Sequence, residues 1–185
     1  MTLYQERYNN ISEVLLKKDS FVKPDLAEDC IPSKPGVYCV KIENHQRLPE
    51  KFAQLVDNGV GIIYIGIANK SLYDRLLKNE LRAIGQGTFF RSIGTVLGYL
   101  PEYGSLRDKR NQSNFRFNHA DKSKIIDWIN SNLLVSWIET KGDLKAVESL
   151  LIKEYKPILN IQHNPFPSNE LIQLREKAIR IARGE

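Results

Sequence analysis

The sequence is short of cysteine, has no long apolar run and holds no low-complexity tract or internal repeat, and each shortage excludes something. Two cysteines, Cys30 and Cys39, are too few for a disulfide framework, and no CxxC pair offers a zinc site. The longest apolar run, Val60 to Ala68, is about half of what a membrane span needs and is interrupted by Gly61 and Gly66. Residues Met1 to Arg7 lack the basic-then-apolar order of a secretory signal, so a cytoplasmic chain with free thiols is expected. With 42% hydrophobic and 26% charged residues, wholesale disorder, a collagen-like repeat and a coiled-coil rod are excluded. A chain of 185 residues is expected to form one domain with appended helices, burying about 70% of its unfolded surface.

What charge there is lies unevenly. Lys70 to Asp127 hold eleven Lys or Arg against six Asp or Glu, which accounts for the whole formal excess of +5. The remaining residues carry sixteen of each sign. Concentrated positive charge favours a polyanion, nucleic acid first, over the alternative of an ordinary solvated surface.

Residues 2–18 place Leu3, Ile11, Val14, Leu15 and Leu16 at helical spacing. Pro24, Pro32 and Pro35 then break the chain before a strand over 36–42, in which Tyr38, Val40 and Ile42 share a face. The polar stretch Glu43 to Asn58 has room for a short helix around 49–56, and Asn58-Gly59 turns the chain into a second strand over 61–67. That strand is apolar on both faces, which reads as central in its sheet. Ser71 and Asp74 start a helix expected to reach Ile84 and stop at Gly85. Its apolar arc is Leu72, Tyr73, Leu76, Leu77, Ala83 and Ile84, with Arg75, Asn79 and Arg82 aligned beside it. A weak, glycine-bearing helix (89–100), a basic loop (102–121) and a short helix (123–131) follow. A strand over 133–139, a helix over 144–155 behind Gly142-Asp143, and a final helix over 169–183 complete the chain. Three short strands among helices make an α/β or α+β sandwich.

One carboxylate is out of place. On the helix at 144–155, Glu148 falls about 40° from Leu144, inside the arc of Val147, Leu151, Ile152 and Tyr155. A core-facing carboxylate must be paired, protonated or bound to a cation. An internal pair with arginine, or a position at the core's edge reaching water, would also satisfy it. Tyr38 and Tyr64 lie on adjacent strands beside glycines, in Gly36-Val37-Tyr38 and Tyr64-Ile65-Gly66. Gly66 removes a side chain where something approaches the backbone.

These residues resemble the GIY-YIG endonuclease superfamily. The first half-motif reads Pro35-Gly36-Val37-Tyr38, with Val for the middle Ile, and the second reads Tyr64-Ile65-Gly66. Arg75 follows on the next helix, Glu148 on a later one, and Asn160 after Pro157. The departures are an insertion at 43–58, Asn79 where several restriction-type members carry His, and Ile67 where some carry Lys after the second half-motif. The resemblance implies a small central three-stranded antiparallel sheet with helices on both faces. It implies an N-terminal helical extension over 1–34, a nuclease domain over 35–162 and a C-terminal helix over 163–185 packed on the same unit. It also implies a DNA endonuclease of restriction or defence type, with Mg²⁺, or Mn²⁺ in its place, on Glu148. Because Mg²⁺ keeps several waters, one carboxylate suffices to hold it. Arg75 would steady the phosphorane, Tyr38 accept or align the attacking water's proton, Tyr64 bind phosphate or position Tyr38, and Asn160 tie the site together. Cutting both strands from one site per chain requires a homodimer or two sequential nicks.

Expected DNA contacts are Asn79, Arg82 and Arg91 together with the loop cations Arg107, Lys109, Arg110 and Arg116. Tyr103, Phe115 and Phe117 interleave with these cations and either stack on an unpaired base or anchor the loop to the core. The alternative function is a catalytically silent DNA-binding domain in a larger assembly. Pro24-Asp25 and Glu139-Thr140-Lys141 echo another nuclease motif, but their gap exceeds a hundred residues; His119 and His163-Asn164 suggest a ββα-metal finger but read as loop residues.

Overall fold

The computed structural model describes residues 3–56 and 60–185, so the expected Asn58-Gly59 turn lies outside the described residues. Helix α1 (Leu3–Leu16) leads to β1 (Gly36–Ile42), a one-turn α2 (Glu50–Ala53), β2 (Ile62–Ala68) and a π-helix (Tyr73–Leu81). Helices α3 (Thr88–Val96) and α4 (His119–Asn132), strand β3 (Leu133–Glu139), and helices α5 (Leu144–Tyr155) and α6 (Asn169–Arg183) follow. The three strands form an antiparallel sheet in the order β2-β1-β3. The fold is therefore α+β, as expected, but β1 and not β2 is the central strand.

Two features explain the misplaced centre. Helices cover both faces of the sheet, so even an edge strand is buried on both sides. In addition, β2 carries a bulge: Val40 pairs with Tyr64 and Lys41 with Ile62, leaving Ile63 as the extra residue. Ile63 and Tyr64 consequently enter the same core, and the strict alternation assumed from the sequence fails there.

One face of the sheet packs on α1 and α5, through Tyr8, Ile11 and Leu15 against Val37, Cys39, Ile65, Val147 and Leu151. Ser136 is buried on that side because its hydroxyl donates to the Leu15 carbonyl at 2.7 Å. The other face, bearing Tyr38, Val40, Tyr64 and Val135, lies under the π-helix, α3, α4 and α6. Asn118, Asp143 and Ser168 cap α4, α5 and α6 through their side chains.

Several boundaries differ from expectation. The helix after Ser71 has π geometry and ends at Leu81, leaving Ile84 exposed. Helix α3 stops at Val96, before Gly98, whose positive φ suits a glycine. Helix α4 starts at His119, four residues early, because Asn118 accepts from the Asp121 amide. Phe115 and Phe117 are core residues, edge-on to one another with Phe117 against Phe90, so they anchor the basic segment and cannot stack on a base.

Both sheet edges are covered. Val22 exchanges backbone hydrogen bonds with Val135 along β3. Along β2 the Leu159 amide donates to the Ile63 carbonyl, and the Asn160 amide side chain takes up both backbone groups of Ile65, at 2.9 and 2.8 Å. Asn160→Ala should strand the N–H and C=O of Ile65 and lower stability by about 2–3 kcal/mol, read from urea unfolding. A loss below about 0.5 kcal/mol would show that Asn160 does not hold this edge.

Candidate active site

The motif glycines are explained by what fills their missing side chains. A Cβ on Gly66 would lie 2.5 Å from the Tyr38 hydroxyl, its cross-strand partner on β1. A Cβ on Gly36 would meet the Ile138 carbonyl at 2.2 Å and Leu72 at 2.6 Å. The Tyr38 phenol is thus laid across β2, fully buried, with its ring 6.2 Å from that of Tyr64.

Behind Tyr38 lies a residue the sequence analysis missed. Glu80, on the π-helix, is 0% exposed. Its carboxylate receives Arg75 Nη1 at 2.9 Å, the Phe90 amide at 3.1 Å and the Tyr38 hydroxyl at a long 3.5 Å. The Phe89 and Phe90 amides open α3, so Glu80 caps that helix in place of Gly87, over whose Cα it sits. In an α-helix, residues five apart point about 140° away from each other. The i→i+5 bonding of a π-helix stacks them, and Arg75 and Glu80 pair for that reason. A signal was available: by α-helical arithmetic Glu80 lies about 80° from Leu72, inside the apolar arc.

A contact with Phe89, at 5.4 Å between ring centroids, places the second tyrosine against α3. Tyr64 lines a cavity of 490 Å³ together with Arg75, Glu148, Asn160, Ser92 and Arg175. Tyr38 is not among its lining residues. The structure therefore gathers Tyr64, Arg75, Glu148 and Asn160 around one volume and sets Tyr38 one layer behind. Arg175 and Ser92 belong to the cavity wall and were not anticipated.

Electrostatics follow from burial. Desolvation, then Glu80, raise both tyrosines, so each phenol stays neutral at ordinary pH. Burial pushes Glu80 upward, with Arg75 and the Phe90 amide pulling it back. Burial alone would lower Arg75, but the surrounding phenols and carboxylates raise it, and it remains a cation. Glu148 makes no hydrogen bond or ion pair among the described residues, and burial pushes it up to about 7 against the pull of Arg75.

The other expected residues are dispersed. Asn79 packs against Gly85. Arg82 is held by Glu28 at 3.2 Å, Asn130 at 3.2 Å and the Pro24 carbonyl at 2.9 Å, so Arg75, Asn79 and Arg82 do not act as one stripe. Arg91 is buried and donates to the Gln86 carbonyl. Arg107, Lys109, Arg110 and Arg116 are exposed, with Arg107 over the Tyr103 ring. Glu139 pairs with Lys34, and no group of three His, Cys, Asp or Glu that could hold a metal is found among the described residues.

Two stability predictions follow from these charges. Glu80→Gln keeps the shape but leaves Arg75 unpaired, and should lower stability by about 3 kcal/mol in chemical denaturation. An unchanged midpoint would mean the pair holds nothing. Glu148 has a folded pKa above its unfolded value, so its charge penalty is absent at low pH and complete above about pH 7. In EDTA, Glu148→Gln should therefore stabilise the protein at pH 8, on the order of 1–2 kcal/mol after allowance for solvent screening, and do little at pH 5. An equal effect at both pH values would contradict the burial of this carboxyl.

No curated protein and no solved structure matches the chain. The GIY-YIG catalytic domain matches it over residues 36–177, a span that opens at Gly36 and takes in both half-motifs, Arg75, Glu148, Asn160 and Arg175. With that span laid over a three-stranded antiparallel sheet, and with Tyr64, Arg75, Glu148 and Asn160 lining one cavity, the chain belongs to the GIY-YIG family of nuclease-type catalytic domains.

Proposed function

We propose that the protein is a divalent-metal-dependent DNA endonuclease of restriction or defence type. The observation that carries the catalytic part is Glu148: a half-buried carboxylate without a protein partner, facing a cavity it shares with Arg75 and Tyr64. The restriction or defence role rests on the resemblance of the motifs. A lone carboxylate in a roomy cavity suits a cation that retains most of its water, so the residues fit Mg²⁺, with Mn²⁺ as an alternative, and do not fit a zinc cage. When bound there, such a cation supplies positive charge against the oxygens of the scissile phosphate.

The chain's own residues divide the remaining work. Arg75 keeps one nitrogen on Glu80 and has further donors to offer a phosphate in the cavity. The two tyrosines exchange the roles expected from the sequence. Tyr64 meets the attacking water, while Tyr38 lies behind it with its ring 6.2 Å away. The Tyr38 hydroxyl donates to the Glu80 carboxylate, one layer behind Tyr64. Asn160 holds the backbone next to Tyr64. A silent DNA-binding domain has no use for a desolvated carboxylate beside a buried, tilted tyrosine pair, which favours the enzyme.

Substrate enters along the exposed cations Arg107, Lys109, Arg110 and Arg116. Their segment is docked on the end of α6 by the Gly104 and Leu106 amides, which donate to the Ile181 and Ala182 carbonyls. Cleavage of both strands then takes a second copy of the chain or a second nick.

The decisive experiment is plasmid cleavage in Mg²⁺ by Glu148→Gln and Glu148→Ala. Both should lose cleavage by orders of magnitude, with duplex affinity in EDTA within a few-fold of wild type. Full activity in either purified variant would overturn the assignment.

A further inference from the structure

We propose that Arg175, on α6, is a phosphate-binding residue of the cavity, holding a phosphate of the DNA strand next to the scissile one. The inference rests on the nuclease reading for the identity of the ligand, and on the following geometry for the site.

Arg175 lies on the cavity wall built by α3 and α6, whereas Tyr64 and Glu148 come from β2 and α5. Its orientation is fixed. Nη1 donates to the Ser92 hydroxyl at 2.8 Å and to the Thr88 carbonyl at 3.2 Å, and the guanidinium lies 5.5 Å from the Phe115 ring centroid. Yet no carboxylate pairs with it among the described residues, although Glu148 and Glu176 line the same cavity. Its Nε is buried without a partner.

The same holds for the buried Arg91 nearby, whose Nε is also unpartnered. Burial and the repulsion of Arg91 bring Arg175 down to about 10. A cation fixed in this way, desolvated and next to another cation, is unfavourable until an anion arrives. Arginine's planar donors match phosphate oxygens. The placement fits a DNA path as well. From Arg175 to Ala182, where the basic segment docks, is about 10 Å along α6, so one helix joins the cavity to the exposed cations.

The test compares wild type, Arg175→Ala and Arg175→Lys as full chains. Affinity for a fluorescein-labelled 30-bp duplex is measured in EDTA across a KCl series, and plasmid cleavage in Mg²⁺ gives KM and kcat. For Arg175→Ala the log–log salt slope should flatten by about 0.9, the contribution of one phosphate. KM should rise at least tenfold, carrying most of the loss in kcat/KM. Arg175→Lys should restore the slope while recovering only part of the affinity, since an ammonium lacks the fork. An unchanged slope and KM in Arg175→Ala, with or without a lower melting temperature, would overturn the proposal, because a packing residue moves stability alone. A loss confined to kcat would also overturn it. Should Arg175→Ala fail to fold, Arg175→Lys decides: wild-type affinity overturns the proposal, and reduced affinity with an intact slope supports it. The binding arm needs no catalysis, so a wild-type protein that never cuts would overturn the nuclease reading while the salt slope still judges Arg175.

Discussion

The site depends on one buried carboxylate. Glu80 binds Arg75 within its own π-helix, the opening amides of α3, and the Tyr38 hydroxyl on the central strand. A carboxyl group with no solvent contact is tolerated only when its hydrogen-bonding capacity is filled. Here that requirement fixes three elements against one another. The π-helix must keep Arg75 and Glu80 in stacked register, Gly87 must stay without a side chain, and Tyr38 must remain within reach across β2. The guanidinium offered to the cavity is thereby aimed from below by a group that never touches the cavity.

A second constraint acts from the sheet. The Tyr38 phenol can lie across β2 only because position 66 is glycine, and β2 can sit at the sheet edge only because Asn160 satisfies the backbone at Ile65. The half-motifs and the distant Asn160 thus describe one packing arrangement. Position 64, between the clamped Ile65 and the bulged Ile63, is where that arrangement brings a tyrosine to the cavity wall. The placement of Tyr64 and the stability of the β2 edge therefore share the same hydrogen bonds.

How much of this was legible in the sequence follows from which physical rules applied. The three strands, and the helices at 144–155 and 169–183, were recovered almost to the residue, because their periods are regular, Asp143 announces a cap and Pro165 and Pro167 precede the last helix. Glu148 was found by its place in an apolar arc. The order of strands was not, since an edge strand covered by helices on both faces has the composition of a central one. The Arg75–Glu80 pair could not be read either. Its partners meet only in i→i+5 geometry, and no propensity rule marks where an α-helix yields to a π-helix.

Glu80 and Arg175 were legible in part, by the test applied to Glu148. Measured with α-helical arithmetic, Glu148 lies about 40° from Leu144, Arg175 about 40° from the buried Leu171, and Glu80 about 80° from Leu72. Each is a charge on a stripe that otherwise buries apolar residues. Such placements cost stability, and a fold keeps them only where another term compensates. Glu80 finds that compensation inside the protein, in Arg75 and the α3 amides. Glu148 and Arg175 do not, and both face the 490 Å³ cavity with opposite charge and no direct pairing. If either existed for packing alone, the two could have neutralised each other at short range. Lining one cavity without pairing, they leave an unpaired carboxyl on one wall and an unpaired guanidinium on the other.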